Sequence, residues 1–174
     1  MLTKKAIVIE KRLADIFSYL PKMKNKDYVE FSPTFMYGNE KQLLDFLRQT
    51  KQQKSVYPLI WMVYPFEETH ERNKLSFTDL TLVLAVETNS VMLNEQRIAE
   101  TYKNVLLPLF SNIKSAFTKA NIASITEEYK ISKFPNYSET LLSEENKATY
   151  IWDAMRVSFS GYLTSNCLKP IYFN

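Results

Sequence analysis

His70 is the single histidine of this 174-residue sequence, and Cys167 is the single cysteine. Together they bound the chemistry. Any Ser–His–Asp or Cys–His nucleophile system has to recruit His70, because no other residue supplies an imidazole base. His70 lies in "ETHER", where "HE" lacks the second histidine of a zinc-protease helix. A metal site would have to be built from carboxylates, and one cysteine makes no internal disulfide. Carboxylates stand side by side at Glu67/Glu68, Glu127/Glu128 and Glu144/Glu145. Neighbours along an extended chain point to opposite faces, so such pairs do not converge on one substrate. Gly38 and Gly161 are the only glycines, whereas phosphate-cradling loops need several. The expectation is a protein that is not an enzyme and uses no metal or cofactor. A small hydrolase working through His70 or a carboxylate is the less favoured reading.

The other chemistry-bearing cluster is basic. "PKMKNKD" places Lys22, Lys24 and Lys26 two apart, where they can meet phosphate or an acidic partner. No aromatic residue interleaves with them, so base stacking is not suggested; a solvated loop is the plain alternative. Residues 1–54 carry eleven Lys and Arg against six Asp and Glu, a charge of +5, and the remainder carries −2. A bipolar chain can pack head to tail with its own copies, although scatter on a solvated surface gives the same totals.

These groups need a scaffold. The chain is 45% hydrophobic and 24% charged, enough to bury a core in one domain over residues 1–174. Its 11 Tyr and 11 Phe suit both cores and protein interfaces. The uncharged decamer "YPLIWMVYPF" is about half the ~20 residues that span a bilayer. "MLTKKAIVIEKR" sets acid and base around a short apolar run, unlike a signal peptide. A lone cysteine suits a chain made in a reducing cytoplasm.

Apolar residues at helical spacing predict a helix over Lys4–Leu20, stopped by Pro21, and a second over 40–50 opened by an Asn39/Gln42 capping box. Val56–Tyr64 reads as a strand limited by Pro58 and Pro65 at a sheet edge. "FEETHERNKL" reads as a polar turn, and Ser76–Thr88 as an alternating strand that completes a long hairpin. Residues 94–120 read as a helix with Asn94 as N-cap, Pro108 as a kink, and Ile98, Tyr102, Val105, Leu109, Ile113 and Phe117 inward. Ser124–Phe134 and Thr149–Leu163 read as two further strands. The order α-α-β-β-α-β-β predicts an α+β domain: a mostly antiparallel four-stranded sheet with helices packed on one face. Residues 1–55 form its N-terminal helices, 56–168 its sheet-plus-helix core, and 169–174 a C-terminal tail.

Three segments carry a resemblance. "VYPLIWMVYPFEE", "FTDLTLVLAVETNSVMLNEQRIAETYKNVLLPLF" and "ATYIWDAMRVSFSGYLTSNCL" together resemble small neck proteins of tailed bacteriophages. The shared pattern is a "YPLIW" strand, an "LxLVLAxxT" strand, a helix with "VLxPLF" and a late "WDAxxV" strand, over about residues 56–168. The likeness is to tail-completion, tail-terminator or head–tail connector proteins, especially those of phages of Bacteroidetes hosts. It implies a non-enzymatic virion component, a homo-oligomeric ring in the neck. Its expected partners are its own copies, the portal or other connector proteins, tail proteins, and genomic DNA passing through the lumen.

A ring subunit needs two different surfaces that meet heterologously. The hairpin tip supplies one candidate, with Phe66, Glu67, Glu68, His70 and Arg72. The tail "KPIYFN" supplies another, with Ile171, Tyr172 and Phe173 expected to be exposed. Lys22, Lys24 and Lys26 are the candidate contacts to DNA in the lumen or to an acidic partner. The competing class is a small cytosolic module that binds protein or nucleic acid.

Overall fold

A computed structural model describes residues 6–24, 30–50, 56–88, 91–137 and 151–173. Helix α1 (Ile9–Phe17) opens the chain, shorter than its apolar period suggested, with Ile9, Leu13, Ile16 and Phe17 buried. A short ribbon follows, β1 (Met23–Lys24) against β2 (Glu30–Phe31). Strand β3 (Thr34–Gly38) then leads into α2 (Glu40–Gln49). Asn39 opens α2 as its spacing predicted. Its side chain accepts from the Gln42 amide at 2.9 Å, and Gln42 Oε1 accepts from the Asn39 amide at 2.9 Å.

After α2 come β4 (Leu59–Val63), β5 (Glu67–His70) and the fifteen-residue β6 (Lys74–Thr88). The long helical run divides into three parts: α3 (Asn94–Gln96), a π-helical segment (Arg97–Leu106) and α4 (Leu107–Lys119). Pro108 falls where the π segment passes directly into α4, and the change of winding there accommodates a residue without an N–H. β7 (Ala123–Phe134) and β8 (Ile151–Thr164) complete the chain.

The expected four strands are part of a larger, mixed sheet. Its order is β3-β4-β6-β8-β7, with β5 pairing the first part of β6. The β4–β6, β6–β8 and β7–β8 pairs are antiparallel, but β3 runs parallel to β4. Reaching a parallel neighbour needs a crossover, and α2 is that crossover. Strand β4 is therefore interior: β3 occupies the edge, and Pro58 and Pro65 flank β4 instead of marking the sheet's margin.

The expectation of helices on one face is also corrected. Ile60 and Met62 of β4, Leu80, Leu82 and Leu84 of β6, and Met155, Val157 and Phe159 of β8 pack beneath α1, the π segment and α4. The opposite residues, Leu59, Trp61 and Val63 with Val83, Ala85, Trp152 and Ala154, pack with Leu43 and Leu47 of α2. A β-strand with apolar residues at both parities needs cover on both sides, and β4 is buried at all five positions.

Two irregularities sit at one level of the sheet. The register of β6 on β8 shifts between Phe77 and Leu80, and that of β7 on β8 shifts between Ile125 and Tyr129. Both bulges lie across from Ser160. Asp79 adopts φ 52°, its amide donates to Ser160 Oγ at 3.2 Å, and Thr126 Oγ1 donates to the Ser160 carbonyl at 3.2 Å. The bulge keeps odd-numbered Leu75 and Phe77 on the same face as even-numbered Leu80, Leu82 and Leu84. Beside it, a Cβ on Gly161 would stand 2.3 Å from the Ser124 carbonyl oxygen and 2.8 Å from Phe77 Cζ. Only glycine lets the strands and that ring approach so closely.

Candidate interaction surface

The polar segment between β4 and β6 is more ordered than a turn. Glu67–His70 form β5, Leu75–Thr78 form its partner, and the Glu71 amide closes the tip by donating to the Lys74 carbonyl at 2.8 Å. Glu67, Glu68, His70 and Arg72 are all exposed. His70 Nε2 lies 2.9 Å from Glu68 Oε2, a contact between residues two apart on one face of the strand. Phe66 is half-buried instead, stacked on Tyr64 with ring centroids 5.5 Å apart. It anchors the base of the hairpin, and the polar residues beyond it are what the hairpin presents.

The tail departs from expectation. Ile171 is buried in the larger core, where the sequence had suggested exposure. Its apolar side chain gains more from the core than from solvent. The chain is tied down on the way: the Ser165 amide donates to the Asn73 carbonyl at 3.0 Å, and Asn121 Nδ2 to the Cys167 carbonyl at 3.1 Å. The Lys169 amide donates to Asn121 Oδ1 at 3.0 Å, and Lys119 Nζ to the Tyr172 carbonyl at 2.6 Å. Lys119 also stands over the Phe173 ring at 4.9 Å, leaving Phe173 half-buried. Of Ile171, Tyr172 and Phe173, Tyr172 is the one that faces solvent, 75% exposed. The Ser165–Asn73 bond sets the chain that leaves β8 toward the tail beside the hairpin tip.

The lysine cluster is partly neutralised. Lys22 and Lys24 are exposed and share one carboxylate, Glu30, at 4.0 and 3.6 Å. Lys26 lies outside the described residues, as do Glu144 and Glu145. Glu127 and Glu128 are exposed on β7. Among the described residues, no group of three or more His, Cys, Asp or Glu gathers where it could hold a metal ion. Among the same residues, no helix is long and apolar enough to cross a membrane.

Two polar features escaped the sequence reading. One is a shallow cleft of about 490 Å³ between the start of α2 and the sheet, lined by Glu40, Lys41, Tyr64, Thr81 and Arg156 among others. Arg156 Nη1 bonds Glu40 Oε1 at 2.8 Å, so this cation of the cleft already has a counter-ion. The other is a buried ion pair, Arg97 Nη1 to Asp153 Oδ1 at 2.5 Å, with side chains 2% and 0% exposed. Arg97 also donates to the Met92 carbonyl and Thr88 Oγ1, at 3.1 and 3.2 Å. Asp153 Oδ1 accepts the Asn136 amide as well, at 3.3 Å. An arginine inside a helical apolar period is the one sequence signal that pointed there.

Four tyrosines are held neutral. Burial raises the pKa of Tyr57, Tyr102 and Tyr137 above the ordinary phenol value, and Tyr102 also feels the Asp153 charge. Tyr64 is raised by burial and by donating to the carboxylate of Glu10. None of these groups stands beside a nucleophile–base pair; they are core and margin tyrosines with polar tips. Neither protein-family models nor curated protein sequences give a match to this chain.

Proposed function

We propose that the chain is a non-enzymatic structural subunit of a tailed-phage virion, forming a homo-oligomeric ring in the neck between portal and tail. One observation carries the reading. The segments that resemble phage neck proteins come together as one unit: "LIW" lies in β4, "LTLVLAVET" in β6, "WDAMRV" in the adjacent β8, and "VLLPLF" across the junction of the π segment and α4, packed on them. A resemblance scattered over unrelated surfaces would carry less weight than one that covers a contiguous core.

The exposed surfaces fit such a role. The hairpin tip (Glu67, Glu68, His70, Arg72) and Tyr172 are exposed, where they can reach an adjoining subunit or the next layer of the neck. Lys22, Lys24 and Lys26 are the proposed contacts to DNA in the lumen. Negative-stain microscopy of the purified chain, alone and mixed with a phage portal assembly, tests the reading. Rings, or a collar on the portal, are expected. Particles that stay monomeric and never bind a portal overturn it.

A further inference from the structure

We infer that the π-wound segment is one of two registers of the same helix. Arg97–Leu106 can rewind as an α-helix that carries Arg97 out to solvent and turns Ile98 into the core, and the Arg97–Asp153 pair holds the wider winding in place. The inference concerns the fold itself and does not rest on the ring reading.

The backbone bonds locate the change of winding. The Arg97 amide donates four residues back, to the Leu93 carbonyl at 2.9 Å. At the far end the Leu107 amide donates five residues back, to the Tyr102 carbonyl. Winding of this second kind is rare, and most instances are a single turn inserted in an α-helix. Here it runs for ten residues. Pro108 lies just past it, where the α winding resumes.

The winding decides which side chains are inside. Arg97 and Leu106 are nine residues apart and both buried, 2% and 0% exposed. Nine residues of α-helix make about two and a half turns, which would set the two on opposite faces. Bonding five residues back fits the same nine into about two turns and turns both inward. Ile98 and Leu109 are eleven residues apart, about three turns of α-helix, and would share the inward face. The wider winding instead leaves Ile98 58% exposed. Tyr102 stands four residues from both Ile98 and Leu106, so it faces inward in either register. The segment thus carries two competing faces. One is apolar, through Ile98, Tyr102, Leu106 and Leu109; the other brings in a charge and a hydroxyl, Arg97 and Thr101.

A helix that exposes an isoleucine in order to bury an arginine needs a specific cause, and Asp153 is that cause. Its Oδ1 meets Arg97 Nη1 at 2.5 Å, and the Met92 carbonyl and Thr88 Oγ1 accept further bonds from the guanidinium. These bonds exist only while Arg97 is inside. Asp153 Oδ2, however, is buried with no hydrogen-bond partner among the described residues. A buried charged network with one oxygen unsatisfied is far weaker than a complete one, so the π register is held by a modest margin. The alternative has room to form. Residues 93–96, ahead of the segment, are all exposed, so a rotation is absorbed there without displacing core side chains. With an apolar side chain at position 153, the guanidinium has no partner inside and regains its hydration outside, and Ile98 fills the space it leaves.

Thiol labelling of the full chain reads the register. In a Cys167→Ser background, which removes the exposed native thiol, Ile98→Cys should react quickly with a maleimide and Thr101→Cys slowly. Asp153→Leu is then added to each. It fills the carboxylate's place, so the guanidinium is expelled instead of being left in a cavity. Labelling at position 98 should slow and labelling at position 101 should quicken, each by at least about tenfold, as the minor register becomes the main one. Unchanged rates at both positions overturn the proposal. So does faster labelling at both, which reports fraying of the segment and not rewinding. If Asp153→Leu does not fold, Asp153→Met, whose flexible side chain adapts to the space, is read in its place by the same criterion.

Discussion

Strand β8 supplies one member to each of two arginine–carboxylate pairs, and they lie on opposite faces of the sheet. Asp153 faces the long helix and meets Arg97 with both side chains sealed from water; Arg156, three residues on, meets Glu40 with its partner 47% exposed. The chemistry is the same and the weight is not. The exposed pair is screened by solvent and gains little by forming. The buried pair has given up its hydration, so each charge depends wholly on the groups around it. Those groups come from the end of β6, the loop before the helix and the turn after β7. The buried pair thus fastens the start of the helical run to the sheet at a point where apolar packing alone has no directional preference.

The largest test of that contrast removes one partner. Asp153→Ala should cost about 3–5 kcal/mol in denaturant unfolding, since it strands a buried guanidinium. Replacing both partners, Asp153→Leu with Arg97→Met, should recover most of the loss. If the double variant is no better than the single one, the pair is adding stability beyond charge matching.

An intermediate effect acts on both faces. Tyr102 lies on the long-helix side and Tyr57 on the α2 side, and both hold their protons more tightly when folded. A folded-state pKa raised above the unfolded one means stability is fully present below pH 10.0, the ordinary phenol value, and is lost as pH climbs through the folded values. Thermal melts from neutral to strongly alkaline solution should fall only beyond that point, with tyrosinate absorbance rising together with unfolding. Tyrosinate appearing well before unfolding would show that the phenols are not held by the fold.

The smallest effect is expected at the open pair. Glu40→Gln should cost roughly 0.2–1 kcal/mol, and the difference should shrink further in high salt. A loss as large as that of Asp153→Ala would erase the distinction between the faces.

Features written in adjacent residues were the ones the sequence made legible. Asn39 and Gln42 define a cap by themselves, and the alternation of Leu80, Leu82 and Leu84 is a strand by itself. β3 was not legible because "TFMYG" is five residues long and its partner lies beyond α2; a parallel pair leaves no turn to read. β5 was missed because "EETH" is exposed throughout and so lacks alternation. In the long helix, a regular period placed Ile98 inward, yet the wider π winding leaves it 58% exposed and brings Arg97 and Thr101 in. Burial of Arg97 depends on Asp153, 56 residues away, and no local pattern encodes that. The same holds for the candidate surfaces. The charged hairpin tip was readable from composition, whereas the docking of Ile171 depends on Asn121, Lys119 and Asn73, which only the folded chain brings to it.

The paired bulges beside Ser160 have a mechanical consequence. At that level β8 is the one strand that runs through without interruption, while each neighbour carries extra residues and a bent backbone. The sheet is thereby creased: two stiff panels share a single continuous spine. One panel carries the hairpin tip and the root of the tail, and the other carries both arginine pairs. The long helical run spans that crease, from Arg97 beside Asp153 in one panel to Ala120, whose carbonyl accepts the Ala123 amide beside Leu163 in the other, and so ties the two panels together.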